Sequence, residues 1–260
     1  MVPRLYISVS RLRSAGVCYP HVVVNPYVYY DWEQWLKKCR PEGVLVDTGV
    51  HKVFKESGGF EYPSGFEYGY ARFISRVHAQ ARVEEFYYVI PDYPSDYPGM
   101  EQFYPLNVEK TLESIKRWLT RVDSLPGTAV AVVQGKKDDP LSPVRVYSEN
   151  RELYDEFELV ALGPTCASNR WGVLAKMILA FDSVTAKPFH VFGPSLRAVA
   201  RVAGRTRRFF SFDSSAMYRW CENSWCSDIE ERAEAIRAYI SRYEEIARRW
   251  GSQPSILSFF

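Results

Sequence analysis

The stretch Thr128–Gly135 reads TAVAVVQG, five consecutive small or β-branched apolar residues that stop at a glutamine and a glycine. A strand with one wet face alternates apolar and polar residues, whereas an unbroken apolar run suits a parallel strand covered on both faces. Seven other runs have the same form: Leu5–Ser10, His21–Pro26, Val44–Thr48, Phe86–Asp92, Leu159–Thr165, Phe189–Pro194 and Phe209–Ser214. Apolar residues at helical spacing fill several gaps, over Gly65–Arg82, Val108–Val122, Trp171–Asp182 and Ser195–Ala203. Glu230–Trp250 reads as a long amphipathic helix that closes the chain. This alternation predicts the α/β class and a (β/α)8 TIM-type barrel, with an open doubly wound sheet as the alternative. No repeat or composition break divides residues 1–260, so a single domain is expected.

The composition sets wide bounds. Apolar residues make up 47% and charged residues 25% of the 260, as in a folded globular protein and unlike a disordered one. A formal net charge of +2 neither demands nor excludes a polyanionic partner, because an acidic site and a basic surface cancel in the sum. No apolar run is long enough to span a bilayer, and no membrane partner is expected. Five scattered cysteines, Cys18, Cys39, Cys166, Cys221 and Cys226, suggest reduced thiols and a cytoplasmic location.

In a barrel of this kind the active site lies at the C-terminal ends of the strands. Asp47 finishes the third run, Asp92 the fourth, Gln134 the fifth, Gly163 the sixth, Phe192 and Gly193 the seventh, and Asp213 the eighth. Any one such Asp suits a helix N-cap. Three carboxylates converging on one mouth instead call for divided roles or a cation, because like charges repel. A magnesium-dependent hydrolase is one reading of such a set.

These strand ends carry a resemblance. The segments DTGVHKVF (47–54), IPDYP (90–94), VVQG (132–135), ALGP (161–164), HVFG (190–193) and FDSS (212–215) follow one another in the order found in the tRNA-guanine transglycosylase superfamily, which the chain resembles from about residue 40 to residue 215. The resemblance implies a pentosyltransferase without a cofactor. In it Asp213 attacks the sugar C1′ as nucleophile, and Asp47 acts as general acid and base. Asp92 would read the donor edge of a guanine-like base, while Gln134 and the backbone around Gly163 would meet its carbonyl oxygen. His51 and Phe192 fall where the family stacks the base.

The chain also departs from the tRNA enzymes. Their zinc site is a cysteine cluster with a later histidine, whereas residues 214–228 read SSAMYRWCENSWCSD, with two cysteines and no histidine after them. Structural zinc takes four ligands, so no metal is expected. The second glycine of the Asp47 motif is Val50, its glutamine is Lys52, and the loop after Gln134 is KKDDP. A zinc-less relative with Phe-Asp-Ser-Ser looks more like the 7-deazaguanine DNA-modification branch, the DpdA-like proteins. That branch implies replacement of guanine by a 7-deazaguanine such as preQ0, with DNA favoured over tRNA as the nucleic-acid partner and accessory modification proteins as further partners. Removal of a base by water and a catalytically silent binding subunit are the competing readings.

A base leaves a duplex only if the strand is held, so phosphate contacts are expected around the mouth. Lys52, Lys55, Lys136, Lys137, Arg170 and Arg219 follow predicted strands and take that role. Arg205, Arg207 and Arg208 precede the last strand and are expected on the opposite end as solvated surface. The segment Tyr93–Pro105 holds Tyr93, Tyr97 and Tyr104 and reads either as a base-stacking loop or as a proline-stiffened one packed on itself.

Overall fold

A computed structural model describes residues 2–27, 32–57, 60–96, 98–166, 170–214, 217 and 228–252. Eight strands form a closed, all-parallel barrel in sequential order: β1 (Arg4–Ser8), β2 (His21–Val24), β3 (Gly43–Val46), β4 (Glu85–Val89), β5 (Thr128–Val133), β6 (Leu159–Leu162), β7 (Phe189–Val191) and β8 (Phe209–Ser214). Every predicted run overlaps one of them, and the open-sheet alternative falls because β8 pairs with β1, Tyr6 opposite Asp213.

The strands alternate with α1 (Val9–Ser14), α2 (Trp32–Cys39), α3 (Val50–Ser57), α4 (Phe66–Ala81), α5 (Leu106–Leu119), α6 (Ser142–Glu149), α7 (Arg151–Asp155), α8 (Trp171–Val184), α9 (Leu196–Val202) and α10 (Ile229–Ser252). The short helices α1, α2, α3, α6 and α7 are absent from the sequence reading, because runs of two turns or so leave little periodic signal. The long terminal helix is capped as its charges require: Asp228 Oδ1 accepts the N–H groups of Glu230 and Glu231, both at 2.9 Å, and Arg249 occupies the last turn. None of the described helices is long and apolar enough to cross a membrane.

The parity of the strands decides which residues reach the barrel interior. In β5 the residues Val130 and Val132 fill the interior with Val23, Leu45 and Val89, and Gln134 continues that row beyond the strand. Ala129, Ala131 and Val133 face the helices in the larger outer core. The eighth strand breaks the pattern. Phe189 pairs with Phe209, but the next residue, His190, pairs with Ser211, so β8 carries one extra residue at Phe210. A bulge of this kind switches the parity of the strand that follows it. Phe209 and Phe212 both pack outward, while Asp213 lies on the side of its partner Tyr6, which belongs to the interior cluster.

The floor of the barrel is polar. Arg4 pairs with Glu85 at 2.8 Å, and His21 lies 3.7 Å from the same carboxylate; burial lowers the His21 pKa. On the same end, buried Asp182 accepts the backbone N–H groups of Arg207 and Arg208 at 2.8–3.1 Å, which pins the turn into β8.

One expectation is corrected. Cys18 and Cys39 form a disulfide, tying the entry to β2 to the end of α2, so these two cysteines are not the reduced thiols the sequence suggested. Their separation of 21 residues hid the pairing, because only the fold brings the two segments together. Cys166 is a free thiol, and Cys221 and Cys226 lie outside the described residues.

Candidate active site

The C-terminal mouth opens into a cavity of about 630 Å³ whose wall includes Asp47, Asp92, Asp96 and Asp213. Gln134, Gly163, His51 and Phe192 line it too, so all seven residues expected to act on the base or the sugar meet in one place. They come from five strand ends, β3, β4, β5, β6 and β7, from the first turn of α3 and from within β8. The carboxylate pair at 47 and 213 is joined by two further acids, of which Asp96 is fully buried.

Asp213 is held by its neighbour strand. Its Oδ1 accepts the Gly193 N–H at 2.9 Å and lies 3.3 Å from His190 Nε2. Gly193 has φ +58°, and a Cβ there would sit 3.1 Å from the Cys166 backbone, so only glycine presents this N–H without strain. His190 is buried, and its Nδ1 lies 2.9 Å from Ser211 Oγ. A carboxylate only accepts, so Nε2 donates to Asp213, while Nδ1 and the Ser211 hydroxyl share the second hydrogen bond. Both contacts fall on Oδ1 and neither on Oδ2. The side chain remains about one-quarter exposed, at 26%.

Asp47 follows β3 directly, with its N–H on Val24 O at 2.8 Å and its Oδ2 accepting the Gly49 N–H at 3.1 Å. Burial first, and then the negative charge of Asp213, push its pKa up to about 6; the Gly49 N–H opposes them. Asp92 is raised further, to about 7. Burial is the main cause, the Gln134 amide opposes it, and the charges of Asp47 and Asp96 add to it.

Gln134 Nε2 donates to Asp92 Oδ2 at 2.6 Å, and its Oε1 accepts the Ser95 N–H at 3.3 Å. The same amide rests on Gly163, where a Cβ would come within 2.6 Å of Nε2. The Gly163 N–H donates to Val133 O at 3.0 Å, inside the sheet register. Gly163 therefore acts here as the space into which Gln134 fits.

The cations expected to hold phosphates are dispersed. Lys52 lines the cavity, donates to Tyr27 O at 3.3 Å and lies 3.7 Å from Glu56. Lys55 is exposed on α3, and Lys136 follows Gly135 at the mouth. Lys137 is paired with Glu101 at 2.8 Å. Arg170 is exposed at the start of α8 and lines a neighbouring cavity, and Arg219 lies outside the described residues. In the loop after β4, Tyr93 is buried against Val53, Phe54 and Met100, and Tyr104 meets Ser142 Oγ at 3.2 Å, so both pack on the protein; Tyr97 is outside the described residues.

Among the residues that escaped the sequence reading are two of the wall, Asp96 and Cys166, and one behind it, His190. Asp96 sits in an irregular loop with no period to place it, and Cys166 follows β6 with no motif around it. His190 was detectable as the one polar side chain in the hydrophobic run of β7. Among the described residues, no group of three or more His, Cys, Asp or Glu is arranged to hold a metal ion. No family model matches the chain, and no curated protein matches it in sequence.

Proposed function

We propose that the chain is a base-exchange glycosyltransferase, which replaces guanine in a nucleic acid with a 7-deazaguanine such as preQ0 through a glycosyl–Asp213 intermediate. The observation that carries this reading is the pairing of two unlike carboxylates in one cavity. Asp213 is immobilised by two N–H groups on one oxygen, and Asp47 is raised to about 6 partly by the charge of Asp213. Carboxylates whose environments drive them apart suit a nucleophile and a proton carrier.

Asp213 attacks C1′, the C1′–N9 bond breaks, and the electron pair goes to N9 of the departing base, which takes its proton from Asp47. The incoming base loses its N9 proton to the Asp47 carboxylate and attacks C1′, and the C1′–O bond breaks to restore Asp213. Asp92 and Gln134 bind the base edge. A carboxyl near pH 7 at Asp92 can accept from guanine N–H groups when ionised, and Gln134 keeps it oriented. Phe192 and His51 flank the base on the cavity wall. DNA is the favoured nucleic acid, from the resemblance to the zinc-less DNA-modification branch.

Incubation with labelled preQ0 or labelled guanine and, separately, duplex DNA, single strands and tRNA tests the reading. Label retained in one nucleic acid supports exchange. An abasic product identifies hydrolysis instead, and an unchanged nucleic acid in every arm rejects the enzyme reading.

A further inference from the structure

Beside the central cavity lies a second one of about 500 Å³, on the outer wall between α8 and α9. Arg170, Lys176, Arg201 and Arg205 line it around Trp171, and among the described residues no carboxylate does. Several surface cations elsewhere are matched, as in Arg117 with Glu67 and Lys137 with Glu101. Lys176, Arg201 and Arg205 are exposed and have no ion pair among the described residues. Positive charges gathered without counter-charge repel one another, and an anionic ligand relieves that cost.

Two features narrow the ligand. Arg170 and Lys176 lie six residues apart at the start of α8, about 9 Å along a helix axis, and Arg201 and Arg205 come from α9 and the turn after it, an elongated set that suits successive phosphates of a strand. Trp171 is 41% exposed, carries the Arg201 guanidinium 5.5 Å from its ring centre, and lines both cavities. It is therefore the shared wall between the basic groove and the site of Asp213. An aromatic face beside a cationic track is the combination that binds single strands, bases on the ring and phosphates on the cations.

We infer that the α8–α9 groove guides the backbone of a single-stranded nucleic acid into the catalytic cavity, with Trp171 carrying the base adjacent to the one that enters. The direction of this track rests on the base-exchange reading of the central cavity. It assigns a function to Arg205, which the sequence alone grouped with the solvated Arg207 and Arg208.

The test is binding of a fluorescent single-stranded DNA between about 50 and 200 mM salt. Each lost phosphate contact lowers the slope of log K against log salt by about 0.7, so K176A/R201A/R205A should reduce it by about 2. Trp171→Ala should weaken binding about 10-fold with the slope unchanged. A wild-type slope in the triple variant, or a wild-type chain that does not bind the strand, overturns the inference. Binding is read without turnover and repeated in Asp213→Asn. A chain that binds through the groove but never exchanges a base rejects the exchange reading alone. One that exchanges bases with an unchanged slope in the triple variant rejects the groove alone.

Discussion

His190 Nε2 lies 3.3 Å from Asp213 Oδ1, and the far side of the ring is fixed by Ser211 Oγ, 2.9 Å from Nδ1. The bulge at Phe210 makes this possible, since it turns Ser211 and Asp213 together toward the ring. A buried hydrogen bond to a charged group is worth about 1.5–3 kcal/mol. His190→Gln is therefore expected to lower kcat about 10- to 100-fold while the affinity for the free base stays unchanged, and Ser211→Ala to lower it less. A His190→Gln enzyme with wild-type kcat would show that the ring is only packing.

Stability should fall with rising pH, through Asp47. An unfolded Asp titrates near 4, whereas Asp47 in the fold titrates at about 6. Between those values the native state holds a proton that the unfolded chain has released, so the stability present below pH 4 is lost as pH rises through 6. Asp92, raised to about 7, extends the loss by a further unit. Asp47→Asn cannot ionise and should melt several degrees higher than wild type at pH 8, with the difference vanishing below pH 4. Parallel melting curves across that range would contradict the assignment.

Gly163→Ala probes the base edge. Its methyl group would meet Gln134 Nε2 at 2.6 Å and Cδ at 2.7 Å, and the flexible amide must swing off Asp92. The expected result is a base affinity weakened about 10-fold, equivalent to about 1.4 kcal/mol, measured by calorimetry on the free base. Unaltered affinity would remove Gln134 from base recognition.

The disulfide predicts a reductant-sensitive fold. Closing a loop of 21 residues between Cys18 and Cys39 stabilises by about 3 kcal/mol in the chain-entropy description. Cys39→Ser, or wild type in excess reductant, is expected to melt about 6–12 °C lower. Equal melting temperatures with and without reductant would argue that the link adds nothing to stability.

The barrel was legible because its eight strands are buried on both faces, which forces apolar runs such as TAVAVV that few other environments tolerate. Strand ends were legible for the same reason: Asp47 and Gln134 stop such runs, and parity carries Gln134 inward. Parity failed in FFSFDS, where the bulge at Phe210 depends on pairing with β7 and leaves no mark in the sequence of β8 itself. The partnership of His190 with Asp213 was hidden with it. Lys137 shows the converse limit, since a lysine at the mouth looks like a phosphate contact until Glu101 is found beside it.

Base exchange through Asp213 requires a covalent bond between a sugar C1′ and that carboxylate. Its most direct test is acid-quenched incubation with a guanine-containing nucleic acid, followed by mass analysis of the peptide that contains residue 213. An added glycosyl mass on Asp213 is expected, one that disappears when free base is supplied and never forms in Asp213→Asn. Base exchange at the wild-type rate in Asp213→Asn, with no adduct in either chain, would contradict it.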